Sequence, residues 1–403
     1  MAHGVVIVGA GHAGGTAAAL LRQYGYVAPI ALVGEEPLIP YQRPPLSKKY
    51  LMGEMELDQL FLRPQRFYDE QGIRVLTEAK VIEIDRAGSR LLLDCGEVAY
   101  DQLALTTGAA PRALPAALGG NLPGVHLVRT LADVERMAPM FAPGRRVLII
   151  GGGYIGLEAA AVASKLGLRV TLVEATARIL QRVAAPQTSD YFRALHAAHG
   201  VEILEATGLL GMEQAADGSI AAHLGDGRTQ VADFVIVGIG VVPNDALAAR
   251  AGLACDGGIV VDAQGRTSDP KIWAAGDCAR FPFRGQSIRL ESVQNAIDQA
   301  EAVAANILGA GRDYAAQPWF WSDQYDVKLQ IAGLNTGYDQ VAVRLGTAPG
   351  VRSHWYFRGT ELLAIDAMND PRAYMVGKRL IEAGRSPRPA QVADADTDLK
   401  TLL

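Results

Sequence analysis

An α/β protein with two parallel-sheet domains and a smaller α+β domain at its C-terminal end is what the sequence predicts, on three observations. A phrase is repeated, "VVIVGAGHAG" from Val5 and "VLIIGGGYIG" from Val147. Each copy leads into an alanine-rich helical pattern and then a second apolar strand. Near Pro318 the texture changes to alternating strands.

Taken in order, Val5 to Val8 is a short β-branched run, and "AGGTAAALLRQYGY" behind it reads as a helix that Gly25 can terminate. "PIALVGEE" is a second buried strand. The same order recurs as "RRVLIIGGG", "YIGLEAAAVASKLG" and "LRVTLVEA". These are two βαβ units, and their uninterrupted apolar strands predict parallel sheets covered on both faces. Between them lie less regular strands such as "KVIEIDRAGSRLLLDC" and a proline-containing stretch, Pro111 to Pro123, that reads as a crossover between domains. "DFVIVGIGVVPN" and "IWAAGDCA" follow as apolar strands ending in glycine. From about Pro318, "FWSDQYDVKLQIAGL" and "VRSHWYFRGTELLAIDAM" alternate, and a helix runs from Pro371 to Ala383. Asp394, Asp396 and Asp398 beyond it read as a frayed, solvated tail without a ligand.

With 403 residues, 49% apolar and 20% charged, the chain exceeds the size at which single cores usually split, so two or three domains are expected. A net charge of −5 offers no global attraction to phosphate backbones or anionic membranes, which makes nucleic acid a poor partner. Cys95, Cys255 and Cys278 lie far apart without C-x-x-C spacing, which favours a reducing, cytoplasmic setting. Only Ala2, His3 and Gly4 separate Met1 from the first strand, and no apolar stretch approaches the ~20 residues that span a bilayer. A soluble protein with no membrane partner is expected.

In Gly9-x-Gly11-x-x-Gly14, the first glycine permits a tight turn, the second lets backbone approach a pyrophosphate, and the third lets the helix pack on its strand. Gly151-x-Gly153-x-x-Gly156 repeats the arrangement, with Tyr154 and Ile155 between its last two glycines. One copy alone is weak evidence, since such turns also arise for packing. Each, however, is followed about 20 residues past its last glycine by an acidic residue at a strand end, Glu35 and Glu174, where a ribose hydroxyl would be held. Two Rossmann-like dinucleotide-binding domains therefore precede the C-terminal α+β domain. Two such sites in one chain suggest two dinucleotides meeting, most often nicotinamide and flavin.

Over essentially its whole length the chain resembles the FAD-dependent, NADH-oxidising ferredoxin reductases that feed bacterial oxygenases, a putidaredoxin-reductase-like group within the glutathione-reductase-like flavoproteins. The phrases that carry the resemblance are "VGAGHAG", "YQRPPLSKKYL", "IGGGYIGLEAA", "GIGVVPN", "IWAAGDCA", "ESVQNAIDQA" and "WFWSDQYD". It implies that the first glycine phrase and Glu35 bind the ADP half of FAD, and that Gly151, Gly153, Tyr154, Ile155, Gly156 and Glu174 bind NADH. It also implies that Arg43 and Lys48 contact the flavin, that Asp277 binds the ribityl chain, and that Gly240 and Pro243 lie beside the nicotinamide nucleotide. FAD is then expected on residues 1–112 and 241–317, NAD on 113–240, and the α+β domain over 318–403.

By the same resemblance Lys48 pairs with Glu158, and both position and polarise the reacting rings, because hydride transfer demands alignment more than acid–base work. The helix opening at Val293 in "ESVQNAIDQA" would aim its N-terminus at charge developing on reduced flavin, while Ala296, Ala300 and Val303 pack in the core. Tyr154 is either a ring beside the flavin or a packing residue at a helix start. Trp319 and Trp321 share a strand face; one is expected in the core, and Trp321 in particular against the flavin.

His196 and His199 lack a third ligand and read as surface or packing residues, so no metal is expected. Disulfide reductases of this superfamily carry reactive cysteines after the first βαβ unit, where this chain has Pro44, Pro45 and Leu46. Electrons are therefore expected to leave the flavin directly, one at a time, for a two-iron two-sulfur ferredoxin serving a terminal monooxygenase. Within enzymes the alternatives are a dioxygenase-linked, rubredoxin-linked or quinone-type reductase; outside them stands an apoptosis-inducing-factor-like redox scaffold. A monomer or weak dimer is expected. Acidic ferredoxin would dock through a local basic patch, with Arg63, Arg66 and Arg312 as candidates beside the Trp321 strand, each of which can equally be a solvated arginine.

Overall fold

The structure, a computed structural model, describes residues 3–403. The chain divides into two compact units: one is built from the residues up to Arg43, Met55–Ala110 and Val241–Ala316, the other from Pro44–Glu54, Pro111–Gly240 and Gln317–Leu403.

The first unit is organised by a parallel sheet in the order Ile272–Ala274, Gln102–Leu105, Val5–Val8, Ile30–Val33, Ile73–Leu76. Val5 pairs in register with Ile30 on one side and Gln102 on the other. The apolar run of the first strand is buried at every position because the sheet is covered on both faces. Val5 and Ile7 meet Ala13, Ala17, Ala18 and Leu21 of helix His12–Gln23, which packs in turn on Ala296, Ala300, Val303 and Ala304 of helix Val293–Ile307. Alanine lets those two helices approach closely. Val6 and Val8 point the other way, into a core with Leu103, Leu105 and the strand residues Ile84 and Leu91.

The second unit repeats the plan. Its parallel sheet runs Glu202–Leu204, Arg169–Val173, Arg146–Ile150, Phe234–Val237, Val125–Leu127, and helix Tyr154–Lys165 joins its first two sequential apolar strands. Both glycine-phrase helices stop the same way. Gly25 (φ +88°) and Gly167 (φ +80°) take the left-handed conformation, and the next residue's N–H closes on the carbonyl of Leu21 or Ala163.

Within the same unit an antiparallel sheet, Trp319–Gln324, Val327–Gly333, Glu361–Met368, Arg352–Arg358, Gln340–Leu345, carries helix Pro371–Glu382 on one face. Trp355, Phe357 and Ile365 meet Tyr374, Val376 and Leu380 there.

The acidic tail departs from the sequence expectation, because it is folded. Val392 and Leu399 are buried in the core of this sheet and helix. The Arg344 guanidinium donates to the carbonyls of Asp394, Ala395 (3.0 Å) and Thr397 (2.9 Å), and Arg372 pairs with Asp398. Asp394 accepts from the Asp396 N–H at 3.0 Å and the Thr397 hydroxyl at 2.8 Å, so its charge holds a turn. Two apolar residues seven apart anchor the segment, and the carboxylates between them fasten it.

Candidate functional site

Each glycine phrase forms the same cradle, and its three glycines are glycine for different reasons. Gly9 has φ +112°, and a Cβ there would lie 2.2 Å from the Thr106 carbonyl oxygen; one on Gly14 would lie 2.0 Å from that of Gly9. The first and third positions are thus imposed by the protein's own backbone. A Cβ on Gly11, by contrast, meets nothing within 4 Å. The second cradle matches: Gly151 (φ +109°) and Gly156 are blocked at 2.4 and 2.0 Å by the carbonyls of Gly238 and Gly151, while Gly153 faces open space.

Gly11 and Gly153 are the N-caps of their helices, with no side chain capping the first N–H groups and no acidic residue in either first turn. N–H donors at the positive end of a helix, reached across a residue without a side chain, make an anion cradle.

The acidic residues at the two strand ends differ. Glu35 is exposed, beside Gly34, whose Cβ would crowd that of Ala10. Its neighbour Glu36 is the one built into a network: Arg43 Nη2 donates to Glu36 Oε1 at 2.6 Å, and the Tyr41 hydroxyl to Oε2 at 2.5 Å. Burial works to lower the pKa of Arg43, which is half-buried, but Tyr41 and Glu36 together outweigh it and hold the guanidinium above its ordinary value. In the second unit, Glu174 accepts from the Gly152 N–H at 2.7 Å and, through its other oxygen, from the Thr176 N–H and hydroxyl, each at 2.7 Å. Its carboxylate therefore stiffens the glycine turn itself. Arg178 points away, donating to Ser189 Oγ at 2.6 Å and the Ala184 carbonyl at 2.8 Å. Gly240 (φ +101°) faces Arg182, whose Nη2 lies 3.3 Å from where its Cβ would be.

Lys48 sits in the turn Leu46–Tyr50 and Glu158 one turn into helix Tyr154–Lys165, and the second unit brings them together: Nζ to Oε1 is 2.9 Å with both side chains nearly buried. Ser322 Oγ donates to the same oxygen at 2.7 Å. Burial pushes the Glu158 carboxyl above its ordinary pKa, while the Lys48 ammonium and the Ser322 hydroxyl pull it back. Tyr154 opens that helix with its ring tilted on Phe320, centroids 5.0 Å apart, and burial raises its phenol pKa well above the usual value. Ile155 is exposed at the helix start.

On strand Trp319–Gln324 the tryptophans do not supply the core residue that alternation suggests. Trp319 and Trp321 are both half-buried, 5.7 Å apart on one face, and the fully buried positions are Ser322 and Gln324. Those two polar residues, and His196, escape a reading by motif. The signal was present in the alternation of "FWSDQ", which sends the serine and glutamine to the face opposite the tryptophans.

In the first unit, Gly276 donates to Gln299 Oε1 at 2.8 Å, and Asp277 follows, half-buried, its backbone carbonyl accepting from Arg289 Nη1 at 3.0 Å. Val293 opens its helix under a Ser292 cap that accepts the Asn295 N–H at 3.1 Å. Cys278 is buried against the Leu105 and Ala275 carbonyls, and burial raises its thiol pKa, which disfavours the thiolate that redox chemistry requires. No group of three or more His, Cys, Asp or Glu among the described residues could hold a metal ion.

Fold and cradles define a two-dinucleotide oxidoreductase. Residues 3–300 match the pyridine nucleotide-disulphide oxidoreductase family and residues 319–403 the reductase C-terminal family. The chain is 46% identical to rhodocoxin reductase of Rhodococcus erythropolis over 99% of its own length and 94% of that protein. It is 42% identical to putidaredoxin reductase of Pseudomonas putida, over 99% and 96%. It also superposes on a chain of the crystal structure of the covalent putidaredoxin reductase–putidaredoxin complex with a TM-score of 0.95 at 41% identity, covering 99% of this chain and 97% of that one. The chain belongs to the pyridine nucleotide-disulphide oxidoreductase family, in its ferredoxin–NAD reductase branch, whose cofactors are FAD and NAD(H).

Proposed function

We propose that this chain carries electrons from NADH through FAD, one at a time, to a two-iron two-sulfur ferredoxin that serves a monooxygenase, and that it does so as a monomer or weak dimer in the cytoplasm. The observation that supports it most directly is the pair of cradles whose middle glycines, Gly11 and Gly153, answer to no contact within the protein. A ligand's close approach accounts for their lack of a side chain, and the helix N–H groups behind them, without a side-chain cap, suit a pyrophosphate. When bound, FAD supplies the conversion of an electron pair into single electrons.

In this reading residues 1–112 and 241–317 form the FAD domain and 113–240 the NAD domain, ahead of the α+β domain over 318–403. Gly9, Gly11 and Gly14, with Glu35, Arg43, Asp277 and Val293, bind FAD; Gly151, Gly153, Tyr154, Ile155, Gly156, Glu174 and Gly240 bind NADH. Lys48 and Trp321 keep the flavin role that the resemblance implies, with Glu158 behind Lys48. The Glu36–Tyr41–Arg43 network supports this by fixing the Arg43 guanidinium. NADH is the donor because Glu174 brings a negative charge to the glycine turn and Arg178, the cation nearest it in sequence, is committed to Ser189 and Ala184. The test is anaerobic: NADH should bleach the bound flavin, and an oxidised two-iron two-sulfur ferredoxin should restore it within turnover time. A flavin bleached by NADH that no ferredoxin reoxidises would end the assignment of the acceptor.

A further inference from the structure

Behind the Lys48–Glu158 pair runs a line of polar side chains inside the second unit. Gln324 Nε2 lies 3.1 Å from Ser322 Oγ, Gln324 Oε1 lies 2.8 Å from His196 Nε2, and His196 Nδ1 lies 3.2 Å from the Tyr325 hydroxyl. Ser322, Gln324 and His196 are fully buried. The direction of every hydrogen bond follows from the carboxylate at one end. An ionised Glu158 can only accept, so Ser322 donates to it, and the Ser322 oxygen must then accept from Gln324. Gln324 is thereby oriented with its carbonyl toward His196, whose Nε2 has to carry the proton. Nδ1 is left as an acceptor, and the Tyr325 hydroxyl donates to it. Burial holds His196 near a pKa of about 4, so one proton on the ring is its state at neutral pH.

The far end of the line is set by the backbone. Tyr325 is the first residue of the two-residue turn joining Trp319–Gln324 to Val327–Gly333, and its φ is +56°. Hairpin turns of that kind favour glycine, asparagine or aspartate at such a position. A tyrosine there is accounted for by what it reaches: its ring stacks on His199, centroids 3.7 Å apart and planes 13° apart, and its hydroxyl meets His196.

We propose that Gln324, His196 and Tyr325 are positioning residues for the Lys48–Glu158 pair: with Ser322 they form a chain of donors that all point at Glu158 and keep it a charged acceptor facing the Lys48 ammonium. Three groups act directly on that carboxylate, Lys48 and Ser322 favouring its charged form and Asp323 opposing it; the line adds polarisation through Ser322. An amide in the middle excludes proton shuttling, so the chain orients and does not conduct. Its bearing on catalysis rests on Lys48 facing the flavin, but the chain itself does not.

The test uses the full-length, flavin-loaded protein. Nitrogen NMR of ring-labelled histidine should show His196 as the Nε2–H tautomer with a bare Nδ1. Infrared titration of Glu158, identified by its loss in Glu158→Gln, should show its half-ionisation shifted up by about one pH unit, a tenfold loss of acidity, in Gln324→Leu and in Ser322→Ala. Ser322→Thr, which keeps the hydroxyl, should titrate like the parent protein. An Nδ1–H tautomer, or a wild-type Glu158 titration in either folded variant, overturns the proposal. If neither variant folds, the tautomer in the unaltered protein decides. Failure of ferredoxin to reoxidise the flavin, with the tautomer and titration as stated, would refute the acceptor assignment and leave this chain of donors standing.

Discussion

Gly9 and Gly11 are two residues apart and answer to different masters. Gly9→Ala forces a Cβ against the Thr106 carbonyl at a left-handed φ, so it should cost stability by several kcal/mol or prevent folding. Gly11→Val meets open space; it should melt near the parent apoprotein's temperature yet lose most of its FAD, read as flavin absorbance per chain. Equal flavin content in Gly11→Val and parent protein would count against the cradle. The same separation of fold from ligand applies to Glu174. Glu174→Gln keeps an acceptor for the Gly152 N–H while removing the charge and the second acceptor that serves Thr176, so the turn should loosen somewhat and the preference for NADH over NADPH in kcat/KM should fall, by roughly tenfold if about 1.4 kcal/mol of repulsion is relieved. An unchanged ratio would move the discrimination elsewhere. At this scale the glycines were legible from spacing alone, whereas Lys48 and Glu158, 110 positions apart, were legible only through the resemblance. A buried lysine is unusual, and nothing in periodicity announces one. Glu36, beside Glu35, was not singled out because spacing locates a strand end only to within a residue, and only packing shows that Glu36 is the one bonded to Tyr41 and Arg43.

Strands and helices carried the strongest periodic signal, and those are the elements the sequence located well: Val5–Val8, His12–Gln23, Arg146–Ile150, Tyr154–Lys165 and Pro371–Glu382. The tail was misread because three closely spaced aspartates, Asp394, Asp396 and Asp398, suggest solvation while two apolar residues decide its position. Arg344→Ala removes the donor to three backbone carbonyls of that tail, so it should lower the melting temperature by several degrees and open residues 389–403 to proteolysis, leaving the NADH-binding affinity intact.

Helix Pro186–Ala198 meets the antiparallel sheet through a second buried group: Thr188 Oγ1 lies 2.7 Å from His354 Nδ1 and donates to Asp366 at 2.8 Å. Burial lowers His354 and His196 to about 4, so each stays neutral when folded but takes a proton near pH 6.5 when unfolded. Stability from each is complete above that value and is lost as pH falls toward 4. Asp366, raised by burial to about 6, has the opposite sign, since the folded form holds its proton more tightly and gains as pH falls from 6 toward 4. One histidine's loss is thereby largely offset. The melting temperature should fall from pH 7 to pH 5, the fall should steepen in Asp366→Asn, and it should shrink in His354→Asn; a flat wild-type profile would contradict the balance.

For the whole molecule, a net charge of −5 leaves attraction of an acidic ferredoxin to local cations. The candidates are weaker than the sequence suggests: Arg66 is paired with Glu70 at 3.2 Å and Arg312 with Glu301 at 3.0 Å, while Arg63 lies over the Phe67 ring. Exposed pairs of this kind contribute ~0–1 kcal/mol, so the carboxylates mask the patch more than they stabilise the fold. Ferredoxin reduction should slow as salt rises past physiological strength, where screening acts beyond ~8 Å, and NADH bleaching of the flavin should not. Arg312→Glu should raise the KM for ferredoxin, and Glu301→Gln should lower it. A salt-insensitive rate with both variants silent would leave shape and apolar contact to explain docking.

The order in which the chain leaves the ribosome adds a consequence of the divided first unit. Its central strands, Val5–Val8, Ile30–Val33 and Gln102–Leu105, are synthesised early, but the strand that flanks Gln102–Leu105 is Ile272–Ala274, 167 residues after Leu105. At ~5–20 residues per second that interval is roughly 10–30 s. Throughout it the edge of Gln102–Leu105 has unpaired backbone, while Val125–Leu127, Arg146–Ile150, Arg169–Val173, Glu202–Leu204 and Phe234–Val237 emerge together and can close a sheet of their own. The nascent protein therefore passes through a stage in which the later-encoded nucleotide fold is finished and the earlier one waits, its open edge the part of the molecule most in need of a chaperone.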